Sequence, residues 1–374
     1  MASSHTYRVA GFVALIAILY QFLFKRIIFD VAGFGRPISP IETHNATCER
    51  IDNLGIEACE DMWFHHASGY LYMACSDVQS RLQWLPAADR LNASGRGLTD
   101  RIAILDTRGS GSLESRLKWM TTDNFSGNNG DGTFNLHGFD IRLDPKSDTL
   151  SLLLINHRPP INPVTGVSLD AVGLGANSTI ELFQSHVGSD SMRHVRTYTD
   201  PAIQTPNQVA WVNDNAFVFT NDHSAKVGFR RHLDILLGGG SVGYCDSHKN
   251  LCNIAHSNGF TGPNGVDENG DIVAASFPQA YKWAQSLDDQ SIKVPAAVVR
   301  IRRKGNDFDR LNRGQAKEKK GLGKSEKGYF VETVVEDDGG ILSAVTTVVH
   351  DARKGKFYLG GITAPFIMTC EMKK

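Results

Sequence analysis

The chain has 374 residues, 41% hydrophobic and 21% charged, enough apolar material for a large core and too much for wholesale disorder. Lys and Arg total 39 against 40 Asp and Glu, a net charge of -1 that argues against a nucleic-acid partner. The 36 glycines lack collagen's period and suit many tight turns, and six cysteines are enough to staple a core but too few to replace one.

Residues 9–24 are apolar apart from Gln21, with Arg8 before them and Lys25-Arg26 behind. The stretch is shorter than the ~20 residues of an average span, and Ile27, Ile28 and Phe29 can extend it. No small-x-small cleavage pattern follows, so residues 1–39 read as a membrane anchor or uncleaved signal with its linker. The flanking charges alone favour a cytoplasmic body. Four glycosylation sequons, at Asn45, Asn92, Asn124 and Asn177, and an even cysteine count favour an oxidising lumen instead. The body is therefore expected in the secretory pathway, lumenal or extracellular, touching the membrane through its N-terminal segment.

From residue 40 onward, short β-type runs alternate with Gly, Asn, Asp and Pro. They lie at 69–76, 101–107, 150–156, 178–184, 208–212, 216–221, 271–275, 297–301, 329–336, 343–350 and 356–361. Helical candidates are confined to 233–237 and 279–287. The pattern predicts an all-β fold. Roughly 330 residues are too many for one sandwich of ~100, and they suit a propeller of about six four-stranded blades. Cys245 and Cys252 flank a turn-like segment and suit a hairpin bridge, while the absence of any C-x-x-C pair weakens zinc-ribbon and thioredoxin readings. Residues 300–327 form a basic, Gly-containing interruption that reads as a solvated loop.

No Walker loop, Rossmann fingerprint, G-x-S-x-G elbow or H-E-x-x-H helix occurs. The polar candidates are carboxylates, amides and histidines at strand ends. They fall in Gly55-Ile56-Glu57-Ala58-Cys59-Glu60-Asp61, Asn135-Leu136-His137-Gly138 and Leu154-Ile155-Asn156-His157. Further such segments are Ser178-Thr179-Ile180-Glu181-Leu182-Phe183, Phe219-Thr220-Asn221-Asp222-His223 and Cys370-Glu371. Together and in this order they resemble the serum paraoxonase/arylesterase family of calcium-dependent lactonases, from about Cys48 to Cys370. The resemblance implies a six-bladed β-propeller over 40–374, two Ca²⁺ ions in its central tunnel, and lactones or aryl esters as substrates. By position, Glu60, Asn207 and Asn258 match ligands of the catalytic calcium. Asp61 matches a ligand of the second, structural calcium, and Phe139 falls where the family supplies a backbone carbonyl. His137 and His157 match the pair proposed to activate water, His137 as direct base and His157 as support, and Asp222 and His223 line the pocket. Cys48 and Cys370 match a disulfide that clasps the ring. Carboxylate and amide oxygens suit Ca²⁺, which can polarise a carbonyl that water attacks.

Three departures stand out. Gln208 replaces an Asp of the second calcium site, which removes one negative charge. Phe277 stands where mammalian members place a pocket histidine. After Asn258 the segment order reads as though ~40 residues, about one blade, were absent. Asn264 is left to stand for a lost Asn ligand, and no Asp precedes it. The expectation is thus a propeller short of about one blade, with a calcium-dependent hydrolase as the leading reading. Its rival is a non-catalytic lumenal propeller acting as scaffold or binding protein.

Overall fold

The computed structural model describes residues 4–52, 54–127, 130–249, 251–260, 272–303, 325–326 and 329–373. A helix begins at Ser4–Leu19 and continues through wider turns at Tyr20–Phe24 and Arg26–Val31. Its apolar part, Tyr7–Val31, has 25 residues and contains an 18-residue stretch of mean hydropathy 2.0, long and apolar enough to cross a membrane. At ~1.5 Å per residue it spans about 38 Å, so the extension past Phe24 supplies the length that residues 9–24 lack.

Among the described residues the β-runs pair as five sheets and a short ribbon, Trp84–Leu85 with Arg90–Leu91. Sheet one orders Glu57–His65, Tyr70–Ser76, Arg101–Asp106 and Leu117–Trp119 from the inside out. Sheet two orders Leu136–Asp144, Thr149–Arg158, Asn177–His186 and Ser191–Tyr198, with Thr121–Asp123 added at its rim. Sheet three runs Pro206–Asn213, Ala216–Asn221, Gly240–Asp246 and Leu251–Phe260. Sheet four holds Ile272–Ser276, Ala296–Arg303, Tyr329–Asp337 and Ser325–Glu326. Sheet five holds Thr347–Asp351, Lys356–Gly360 and Ile367–Met372, completed from the other end of the chain by Ala46–Ile51.

The sheets bury both faces, and period-2 alternation sorts side chains between neighbours. Along Tyr70–Ser76, Leu71, Met73 and Cys75 join a core shared with Tyr358 and Ile367 of sheet five. Tyr72 and Ala74, between them, join a core shared with Phe139, Leu152 and Phe183 of sheet two. Two further cores lie between sheets two and three (Ile155 and Ile180 with Val209 and Phe219) and between sheets four and five (Val298 and Val335 with Leu359 and Met368). No core cluster of the described residues joins sheet three to sheet four.

Sheet four explains that gap. In the other four sheets the innermost strand turns into the second through a loop of two to four residues. In sheets one, two and five the second strand then packs on the innermost strand of the following sheet, as Thr149–Arg158 does on Pro206–Asn213. Ile272–Ser276 instead leads into the long connector 277–295 and packs on Thr347–Asp351, so it holds a second-strand position. The described residues therefore form five sheets, in keeping with the expected shortfall of about one blade after Asn258. The 11 residues between Leu251–Phe260 and Ile272–Ser276 are too few for a blade of ~40–50.

Ring closure is covalent. Cys48 and Cys370 face each other in the register of Ala46–Ile51 against Ile367–Met372 and are disulfide-bonded. Across a separation of 322 residues, this link removes chain entropy from the unfolded state worth on the order of 5 kcal/mol. Cys245–Cys252 bridges a hairpin as its spacing suggested, and Cys59–Cys75 joins two neighbouring strands. Three hydrogen bonds hold the linker after the helix: Tyr281 N donates to Ala32 O at 3.2 Å, Gln279 Nε2 to Arg36 O at 2.6 Å and Ser39 N to Glu336 at 2.9 Å. With the Arg36–Glu336 pair at 3.2 Å, these contacts fasten the linker to sheet four and to the connector that follows its first strand. Asn45, Asn92, Asn124 and Asn177 are all exposed. Of the basic interruption, residues 304–324 and 327 lie outside the described residues.

Candidate functional site

A regular strand sends neighbouring side chains to opposite faces, and a β-bulge breaks that rule by adding a residue opposite too few partners. Three innermost strands break it where the site residues fall. In sheet one the register passes from Glu57↔Ser76 to Asp61↔Ala74, leaving 58–60 opposite Cys75, and Ala58 takes a positive φ of 47°. In sheet two it passes from Leu136↔Asn156 to Phe139↔Leu154, so His137 and Gly138 oppose Ile155. In sheet three it passes from Pro206↔Asn221 to Gln208↔Thr220, leaving Asn207 extra. The bulges deliver Glu60, His137 and Asn207 to one buried place.

His137 is 1% exposed and sits at its centre. Its Nε2 lies 3.0 Å from Asn207 Nδ2 and 3.7 Å from Glu60 Oε1. The His157 ring stands edge-on to it, with centroids 4.8 Å apart. His157 is fixed through Ser178 Oγ, 2.9 Å from Nδ1, and through its backbone carbonyl, which accepts from Trp84 Nε1 at 2.7 Å. His137 Nδ1 and His157 Nε2 have no hydrogen-bond partner among the described residues.

Burial dominates the charge states. It pushes the Glu60 carboxyl up to about 8, against the pull of Arg81, and Asp61 and Asp222 push the same way. It lowers His137 well below the usual imidazole range, helped by His157 and Arg81. It lowers His157 to about 3, with Arg81, Arg231 and Lys226 adding to the effect. Both rings are neutral at pH 7. Asp222 is also raised by burial, and its Oδ1 has no partner among the described residues.

A narrow cleft, with room for about one water molecule, opens on His157, Ser178, Asp222, Lys226 and Arg231. His137 lies beyond its wall. Arg231 is held by the carbonyls of Pro86 and Ala87, at 2.6 and 2.8 Å, and lies 3.8 Å from Asp89. Lys226 is half-buried, and desolvation lowers its ammonium. Arg81, buried on the short helix Val78–Gln83, leaves Nε and Nη2 without hydrogen-bond partners among the described residues. Sequence reasoning missed these three cations: Arg81 and Lys226 stand in unremarkable polar contexts, and Arg231 shares an Arg-Arg pair that reads as a solvated surface.

The other expected residues divide. Asp222 lines the cleft, while His223 turns its Nε2 to Ala87 O at 3.2 Å and its Nδ1 toward Asp234 at 3.4 Å. Phe277 stacks on Trp283. Asn258 falls at another bulge, between Gly240↔Phe260 and Ser241↔Ser257, but on the outermost strand of sheet three. That strand is three spacings from the strand of Asn207, roughly 14 Å. The Asn258 side chain and all of Asn264 lie outside the described residues.

Among the described residues no group of three or more His, Cys, Asp and Glu has a metal-holding arrangement. An oxygen-only set remains: the Glu60 and Asp222 carboxylates and the Asn207 amide. Two buried carboxylates, one with an orphaned oxygen, fit a hard cation such as Ca²⁺. Asp61, Phe139 and Gln208 do not form a second such set, because the Asp61 carboxylate is filled by protein donors.

No family model matches the chain. A stretch of 107 residues is 29% identical to serum paraoxonase/arylesterase 2 of Gallus gallus, covering 29% of this chain and about a quarter of that protein's length (25%). Among solved structures, the chain is similar to a putative gluconolactonase (11% identity, TM-score 0.38, 87% of this chain and 92% of that one). It is also similar to a gluconolactonase of Xanthomonas campestris (12% identity, TM-score 0.36, 90% and 99%). At these TM-scores the likenesses add nothing to the sheet topology described above.

Proposed function

We propose that the chain is a membrane-anchored β-propeller hydrolase that opens lactones or cleaves aryl esters. The observation that carries this reading is a pair of buried, uncharged histidines beside Glu60, with one free imidazole nitrogen at the wall of a cleft that also holds two cations. The partial match to serum paraoxonase/arylesterase 2 supports the substrate class.

With Nδ1–H donated to Ser178 Oγ, His157 keeps its unpartnered Nε2 lone pair available as a base. Nε2 takes a proton from water as the water oxygen bonds to the carbonyl carbon, and the C=O electron pair moves onto oxygen. Lys226 and Arg231 stabilise that oxyanion from the cleft wall. Burial first, and then the same cations, depress His157 beforehand; charge developing on the substrate offsets the cations' share and raises its proton affinity when the proton moves. Collapse breaks the acyl–oxygen bond, and the proton passes to the leaving oxygen. His137, behind the wall and tied to Asn207, supports the His157 ring. These roles invert the order that the resemblance implied. A calcium ion bound by Glu60, Asp222 and Asn207 would add Lewis-acid polarisation of the carbonyl.

The test is a panel of lactones and aryl esters offered to the full chain in detergent micelles, with and without calcium. Hydrolysis lost in His157→Gln supports the reading. A folded chain that turns over neither substrate class leaves the non-catalytic scaffold in its place.

A further inference from the structure

Asp61 ties four sheets together. Its Oδ1 accepts from Met62 N at 2.8 Å and Thr347 Oγ1 at 3.2 Å. Its Oδ2 accepts from Phe139 N at 2.9 Å and Gln208 Nε2 at 2.9 Å. Phe139, Gln208 and Thr347 belong to the innermost strands of sheets two, three and five, and Asp61 to that of sheet one. One carboxylate thus joins the centres of four of the five sheets.

A carboxylate offers about four lone-pair directions, and here all four are taken. The second calcium site implied by the family resemblance needs oxygens at these positions. Toward Asp61, however, Phe139 presents its N–H and Gln208 its NH₂. The Gln208 Oε1 is itself engaged by Val209 N at 3.2 Å. The approach is built in: a Cβ on Gly138 would stand 2.1 Å from Gln208 Oε1, so only glycine admits the amide at this depth. A dication here would have to displace four donors and would meet a single negative charge.

We infer that the Asp61–Gln208 knot takes the place of the second calcium ion, so that hydrogen bonds from three neighbouring sheets hold the axis where the resemblance implies metal. The inference stands apart from the hydrolase reading, since it concerns a different cluster and is read without an activity assay.

The test is calcium stoichiometry and thermal unfolding of the full chain in detergent micelles, in a Glu60→Gln background that removes the other candidate ion. This chain is expected to bind no calcium and to melt at the same temperature in calcium and in chelator. Adding Gln208→Asp, prepared in calcium, is expected to create one bound ion per chain and to make the melting temperature fall by 5 °C or more on chelation, with ~5 °C being about what a modest site would contribute. A Glu60→Gln chain that binds one calcium ion and loses it on Asp61→Asn overturns the inference. So does a folded Gln208→Asp chain whose melting ignores calcium.

Discussion

Glu60 and Asp61 are consecutive, both carboxylates and both buried, yet they do opposite work. Asp61 receives four hydrogen bonds and binds sheets together. Glu60 receives Thr346 Oγ1 at 3.1 Å, faces His137, and is carried by burial to about 8. The difference shows how a propeller axis separates structure from chemistry within one bulged strand. A satisfied carboxylate stabilises the ring, and an under-satisfied one next to it supplies the tension from which a site is made.

The strongest way to break this comparison is Asp61→Ala. It strands the Phe139 N–H, the Gln208 amide and the Thr347 hydroxyl in the interior, at an expected cost of about 3–5 kcal/mol by denaturant unfolding. A loss below about 1 kcal/mol would mean the knot does not hold the ring. On the chemical side, His157→Gln is expected to lower kcat/KM for lactones about 10²–10³-fold with stability little changed. His137→Gln should cost less, and equal or reversed losses would restore His137 as the direct base.

Linkage sharpens the contrast further. The Glu60 carboxyl rises from 4.5 to about 8 on folding, so between those values the folded chain holds a proton that the unfolded chain has released. Cation-free stability is therefore full below about pH 4.5 and falls toward pH 8, by about 1.4 kcal/mol per pH unit at most. Glu60→Gln should flatten that slope in pH-dependent unfolding, and an unchanged slope would assign it to another group. His157 acts on the other side: lowered from 6.5 to about 3, it makes stability fall as pH drops through that window. The smallest effect expected is from Lys226→Met, about tenfold in kcat/KM through loss of oxyanion stabilisation. An unaltered kcat/KM would remove Lys226 from the chemistry.

Much of the fold is legible in the sequence because strand signals are local. The runs at 150–156, 178–184 and 216–221 match Thr149–Arg158, Asn177–His186 and Ala216–Asn221 closely. Leu136–Asp144 and Glu57–His65 escaped notice because bulges at His137 and Glu60 interrupt their alternation, and those interruptions are what assemble the site. Gln208 was legible as a lost charge but not as a donor, since its partner stands 147 residues away. Arg81, Lys226 and Arg231 carry no periodicity or motif, so only the closing of sheets one, two and three around them reveals their convergence.

By itself the sequence determined an apolar N-terminal helix, an all-β body, cysteines at both ends of the ring and the short stretch after Asn258. The first two are written in composition and period-2 patterning, which neighbouring residues enforce, and the last two are what the family resemblance implies. The tertiary structure decided that the described strands gather into five sheets, that Cys59 pairs with Cys75, and that Glu60 and Asp61 part company. Those outcomes depend on which distant strands supply donors, cations and empty space to a buried group. Burial and partner geometry set the charge and the bonding of a side chain, and both come into being only when the sheets meet.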